Sequence, residues 1–134
     1  MMTNSELIEK YPWLQVEDFN YCWLDDLEPG WRKAFGDQMC EEIDKALIED
    51  GVRDIYEISQ IKEKYGFLHW YDNNVSDRVN RLIFDKYEPL SERTCGCCGA
   101  PAKYTGTGWI YPYCENCLPE NIKKAGLYKL IKNE

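Results

Sequence analysis

Two Cys-x-x-Cys pairs constrain this chain more than any other feature in it. Cys95-Gly-Cys-Cys98 is followed by fifteen residues and then by Cys114-Glu-Asn-Cys117. Pairs at this separation read as one metal site. Each pair clamps an ion from a tight turn, and the stretch between folds back as a short hairpin. Four thiolates at about 2.3 Å from the ion then complete a tetrahedron. A site with every position filled by protein is structural, because catalytic zinc keeps one position open. The expected ligands are therefore Cys95, Cys98, Cys114 and Cys117, and the expected cofactor is structural Zn2+. Cys97 leaves no gap to Cys98 and is set aside, while Gly99 permits the positive φ that a metal turn often needs. The competing readings are a pair of disulfides or free buried thiols. His69, the one histidine, lies among aromatics and reads as packed rather than ligating.

A chain of 134 residues buries roughly two thirds of its unfolded surface. It can hold a core without staples, so the metal is expected to order its own lobe. The expected fold is α+β, with amphipathic helices packed on a short β-hairpin over residues 1–94. Residues 95–134 are expected to form a zinc-ribbon-like lobe with a C-terminal helix. The first residues lack a basic stretch and an apolar run, so no secretory leader is read. No apolar stretch approaches the ~20 residues of a spanning helix. The cytoplasm, where thiols stay reduced and free for metal, is the expected location.

The net charge of −8 is unevenly spread. Residues 1–50 carry thirteen acids and four bases, residues 51–94 eight and seven, and residues 95–134 three and five. Four thiolates and one dication bring the last segment close to neutral. Nucleic-acid binding usually leaves a basic footprint, so direct binding to nucleic acid is not expected. An acidic face repels phosphate and suits a basic protein surface, although the blander reading is solubility. No P-loop, no His-Glu-x-x-His and no Ser–His or Cys–His arrangement is present, so an enzyme is not expected.

Along the chain, residues 1–12 read as a short helix around Leu7 and Ile8, stopped by Pro12. Residues 13–29 follow no period. Trp13, Leu14, Phe19, Tyr21, Trp23 and Leu24 alternate with carboxylates, as in a loop that wraps the core. A helix then starts at Pro29. Trp31, Phe35, Met39, Ile43 and Leu47 recur at fours along it, with Ala34, Gln38 and Ala46 beside them. Gly51 stands at its C-terminal end, and Gly36 within it implies a close packing contact. Residues 54–72 fit helix or strand about equally. A hairpin is favoured, turning at Gly66 before the aromatic run from Phe67 to Tyr71.

Asn73 and Asn74 are expected to cap the next helix. Its face is Val75, Val79, Leu82, Ile83 and Tyr87, and Pro89 is expected to end or kink it. In the lobe, Thr105-Gly-Thr-Gly108 reads as a turn, with Trp109, Ile110, Tyr111 and Tyr113 as the return strand. The tail, from Pro119 through Ile122, Leu127, Leu130 and Ile131, reads as a helix.

Three runs carry a wider likeness. They are Gly30-Trp31-Arg-Lys-Ala-Phe-Gly36, then Gln60-Ile-Lys-Glu-Lys-Tyr-Gly66 with Leu68 and Trp70-Tyr71, and then Ser91 to Gly99 with Gly108-Trp109 and Cys114 to Cys117. Over residues 30–117 the chain resembles a family of small bacteriophage and prophage proteins with a C-terminal four-cysteine zinc lobe. The resemblance implies a hairpin at the Lys-Glu-Lys-aromatic-Gly stretch, ahead of a helix and the lobe. It implies no activity. Relatives often carry arginine where this chain has His69. With the small size and the acidic first half, the resemblance leads to a phage-type protein that antagonises a host defence by protein–protein contact, as an anti-CRISPR-like inhibitor does. Its partner would be a host protein with a basic surface, such as a nucleic-acid-binding nuclease, met by Asp25, Asp26, Glu28, Glu41 and Glu42. Two further readings stay open. One is a sponge that holds a nucleotide immune signal between aromatic rings. The other is a zinc-lobe adaptor for nucleic acid or transcription machinery.

Overall fold

The computed structural model describes residues 1–17 and 21–132. Asp18 and Phe19 of the aromatic loop therefore lie outside the described residues, as do 133 and 134. Among the described residues the chain is mixed α+β, with four helices and two small antiparallel sheets. No helix among the described residues is long and apolar enough to cross a membrane.

Helix α1 is Asn4–Lys10, and it starts from a capping box. The Thr3 side chain accepts from the Glu6 N–H, and the Glu6 carboxylate accepts from the Thr3 N–H, so two orphan donors are satisfied at once. Leu7 is its buried anchor. Two short 3₁₀ turns, Pro12–Leu14 and Trp23–Asp26, then carry Trp13, Leu14 and Leu24 into the core, as the irregular aromatic pattern predicts.

Helix α2 spans residues 29–49 in three parts, Pro29–Trp31, a π-turn at Arg32–Gly36, and Asp37–Glu49. Trp31, Phe35, Met39, Ile43 and Leu47 are all buried, while Ala34 and Gln38, expected beside the stripe, are exposed. A Cβ at Gly36 would lie 3.3 Å from Arg32 Cγ and 3.6 Å from Leu24 Cδ1. That is the close contact its presence implied.

The hairpin pairs β1 (Ile58–Lys64) with β2 (Phe67–Asp72). Tyr65 and Gly66 turn it with φ of 57° and 83°. A register shift between Ile58 and Gln60 marks a bulge. The bulge absorbs one residue and lets Ile58 and Ile61 both be buried.

Helix α3 spans residues 77–92, as Asp77–Leu82, a π-turn at Ile83–Tyr87, and Glu88–Glu92. Two expectations are corrected here. The cap is Ser76, whose hydroxyl accepts from the Val79 N–H at 3.2 Å. Asn73 instead clips the base of the hairpin, accepting from the Glu57 N–H and donating to the Ile55 carbonyl. Of the two outcomes expected at Pro89, an end or a kink, the end does not occur. The π-turn widens the coil just ahead of it, with the Glu88 N–H reaching back to the Ile83 carbonyl, and the helix runs on to Glu92.

The two π-turns meet where the rings of Phe35 and Tyr87 lie 5.6 Å apart. The hairpin joins α3 through Ser91, which is buried, accepts from the Leu68 N–H at 2.8 Å and donates to the Glu88 carbonyl at 2.6 Å. One apolar cluster thus runs from Leu7 to Tyr87.

The second sheet has the order β4-β3-β5, with β3 Tyr104–Gly106, β4 Pro112–Tyr113 and β5 Tyr128–Leu130. The return strand is shorter than expected, because Trp109 and Ile110 are spent in the bend and stay exposed. Helix α4 is Glu120–Ala125, and it stops at Gly126, which has φ of 67°. Leu127, Leu130 and Ile131 therefore do not continue the helix. The chain reverses and adds β5 beside β3, with Leu130 opposite Tyr104.

Candidate metal centre

The thiol atoms of Cys95, Cys98, Cys114 and Cys117 lie within 4.8 Å of one another, placed so that they could hold a metal ion. Sulfurs set tetrahedrally at about 2.3 Å from zinc would be ~3.8 Å apart. The Cys98 and Cys114 sulfurs are 3.6 Å apart, far beyond the ~2.05 Å of a disulfide. All seven cysteines are free thiols. Cys97 is exposed and outside the cluster, while Cys22 and Cys40 are buried in the helical part, away from it.

Local backbone chemistry builds the first knuckle. The Cys95 N–H donates to the Ala100 carbonyl at 2.8 Å, and the Gly99 N–H returns to the Cys95 carbonyl at 3.0 Å. Gly99 closes that turn at φ of 84°. In the second knuckle the Cys117 and Leu118 N–H groups both donate to the Cys114 carbonyl. Burial pushes the Cys95 thiol up. Backbone N–H groups of Cys114, Cys98 and Cys97, with the Cys98 side chain, outweigh it and bring the thiol down to about 7. A thiol brought that low favours the thiolate a metal needs. The Cys117 thiol is pushed up, first by its hydrogen bond with Cys114 and then by burial. Burial also raises the Cys97 thiol, with the neighbouring Cys95 adding to it.

The knuckle rests on the start of α2. The Gly30 N–H donates to the Gly96 carbonyl at 2.8 Å, and the Trp31 ring N–H to the Thr94 carbonyl at 3.0 Å. A Cβ at Gly30 would overlap the Cys95 carbonyl oxygen, and one at Gly99 would lie 2.6 Å from the Gly30 oxygen. Only glycine at both positions allows this approach. The Tyr111 hydroxyl, packed over Gly96, donates to Glu28. Sequence reasoning missed these supports. A glycine directly after a helix-starting proline was their one visible sign.

The five predicted contact acids are not gathered into one free patch. Asp25 pairs with Arg32 at 2.8 Å and also accepts from Asn4. Glu42 pairs with Lys86 at 2.5 Å and accepts from Tyr87 at 2.8 Å. Burial pushes Glu42 up, but the bonds from Lys86, Gln38 and Tyr87 outweigh it and lower its carboxyl. Asp26 accepts from the Tyr21 hydroxyl and Glu28 from Tyr111, partners that bring no compensating cation. Glu41 is exposed, with no ion pair among the described residues. His69 is half-buried, bonds the Lys64 carbonyl at 2.9 Å, and lies with its ring 4.3 Å from that of Phe67 at a tilt of 32°.

Compared with protein-family models, curated proteins and solved structures, the chain matches none.

Proposed function

We propose that the chain is a zinc-stabilised binding protein of phage type. It antagonises a host defence system by protein–protein contact in the bacterial cytoplasm, in the manner of an anti-CRISPR inhibitor. The observation that supports the zinc-stabilised scaffold is the four-cysteine cluster, which could hold a metal ion through four thiols, while the host-defence part rests on the resemblance and on the acidic first half. Zinc is the metal that four thiolates in a tetrahedron suit best. It supplies cross-linking and no reaction, so the chain acts by the surfaces it holds in place. Among the five acids, Asp26, Glu28 and Glu41 keep charges uncompensated by a cation. They are the ones left to meet a basic nuclease groove, while Asp25 and Glu42 are neutralised within the chain. Purified defence nucleases are titrated with the protein at rising salt. Inhibition that weakens with salt, and that Asp26→Lys with Glu41→Lys abolishes, supports the reading. Inhibition indifferent to both would remove it.

The nucleotide-sponge and nucleic-acid-adaptor readings need rings free to stack. Tyr65 and Trp109, 65% and 69% exposed, are such rings.

A further inference from the structure

The hairpin tip and the metal lobe enclose a continuous depression that the metal site leaves unused. At one end a cleft of about 320 Å³ has Lys64, Tyr65, Trp109 and Ile110 on its walls. Tyr65 and Ile110 also border a groove of about 610 Å³ that extends to Arg93, Lys129 and Lys132. Gly66 makes the junction, because a Cβ there would sit 2.9 Å from Ile110 Cγ2.

Three observations say what this depression is for. First, Tyr65 holds φ of 57°, a left-handed position that Asn, Asp or Gly fills at less cost in a two-residue hairpin turn. The ring kept there is 65% exposed and has the Lys64 ammonium 5.3 Å from its centroid, so ring and cation already stand together at the mouth of the cleft. Second, Tyr65 and Trp109 line one cleft, yet their rings make no contact with each other among the described residues. Trp109 is 69% exposed there, and Tyr65 carries the Lys64 ammonium over its ring, so a planar anion meets an open indole and a ring already paired with a cation. Third, Lys64, Arg93, Lys129 and Lys132 form no ion pair among the described residues. Among the described residues, the acids that border the depression are Glu63 and Glu92, and Glu63 is tied to the turn through the Gly66 N–H at 2.9 Å. The Thr105 and Thr107 residues border the same groove.

We propose that this depression binds single-stranded nucleic acid. One base enters against Tyr65 and Trp109, and the flanking phosphates follow the groove towards Arg93, Lys129 and Lys132. Unpaired bases offer the flat faces that exposed rings stack on, and a duplex hides them. An acidic peptide would satisfy the cations but leave two separate rings without a planar partner. The whole-chain charge of −8 disfavours general polyanion binding, so binding is confined to this stretch and its salt dependence is shallow. This deepens the nucleic-acid-adaptor reading, on which it rests, and is independent of the host-defence reading, whose nuclease inhibition is measured separately, so either can fail alone.

The test is a fluorescence-anisotropy titration of a dye-labelled oligothymidylate of about twelve nucleotides with the full chain, a length within known single-strand site sizes. The expected result is a rise in anisotropy with an affinity that falls as salt rises. Trp109→Ala weakens binding about tenfold, in line with the stacking of one base, and Trp109→Phe retains most of it. Lys129→Gln with Lys132→Gln weakens binding and flattens the salt slope, by about 0.7 for each phosphate no longer neutralised. Both positions are exposed, and circular dichroism confirms the fold of each variant. No binding at low salt overturns the proposal. So does binding that Trp109→Ala leaves unchanged, equal affinity for a duplex or for polyglutamate, or thymidine monophosphate binding as tightly as the oligomer.

Discussion

Residues 1–94 and residues 95–134 bury themselves by different means. The first part closes over one apolar cluster in which Trp31, Met39, Ile43, Leu47, Leu68 and Tyr87 are all sealed from water. The second part has little such cover. Ala102, Tyr113 and Leu118 are buried, while Trp109, Ile110, Leu127 and Leu130 face solvent. Charge differs too. The acidic part neutralises much of its charge internally, as at Asp25–Arg32, Asp44–Arg53, Asp50–Arg78 and Glu42–Lys86. Among the described residues of the lobe most lysines form no ion pair, Lys103 with Glu115 being the exception. Hydrophobic burial suffices for the one part. The other has a four-thiol cluster that could hold a metal ion and a seat against Gly30.

The comparison breaks most sharply if the metal is taken away. Chelation, or Cys95→Ser with Cys114→Ser, should release the lobe and leave the helical part standing, since structural zinc contributes about 10–16 kcal/mol of apparent binding free energy. Hydrogen exchange reads this directly. The amides of Cys95, Gly99 and Lys103 lose protection, while those of Ile43 and Leu47 keep it. Simultaneous loss in both parts would make them one cooperative unit. Next in size is Trp31→Ala, expected to cost about 3–5 kcal/mol in urea unfolding, because a buried indole is deleted and the Thr94 carbonyl is left without its donor.

Gly30→Ala should cost about 1–3 kcal/mol as the knuckle is forced off the helix. It should also weaken metal binding, which distinguishes it from a lesion confined to the core. Ser76→Ala removes the cap of α3 and should cost about 1 kcal/mol. It bears on pH as well. Asp50 is held below the usual carboxylate range, first by the Ser76 hydroxyl and then by Arg78, against burial. Its stabilisation is present above the unfolded value near 4 and is lost as pH falls through the lower folded one. The stability gap between wild type and Asp50→Asn should therefore close in acid and be open at neutral pH, as thermal melts would show. Smallest is Leu130→Ser on the exposed lobe, expected within about 0.5 kcal/mol.

Much of this was legible in the residues, and some of it was present but harder to read. The cysteine spacing located the cluster, because ligand geometry is local and chemical. The apolar stripe of α2 located its buried face, but the spacing carried more. Strict steps of four drift by about 40° each around a helix of 3.6 residues per turn. Trp31 to Leu47 and Val79 to Ser91 hold one face only because a π-turn in each helix absorbs a residue. Ile58 and Ile61, three apart, looked helical for a related reason, since the bulge between them hides the strand period. Three features depended on distant partners and were not legible. The Asn73 clip needs residues 55 and 57, strand β5 needs the exposed edge of β3, and the Gly30 seat needs a carbonyl sixty-five positions away. The carboxylates of residues 25–42 were visible as charges, but their cations, Arg32 and Lys86, were not visible as neighbours.

Native mass spectrometry of protein purified under reducing conditions tests the central claim most directly. The account predicts one zinc ion per chain, lost on Cys95→Ser or Cys117→Ser and retained on Cys97→Ser. A metal-free chain, or a mass short by the hydrogens of two disulfides, would contradict it.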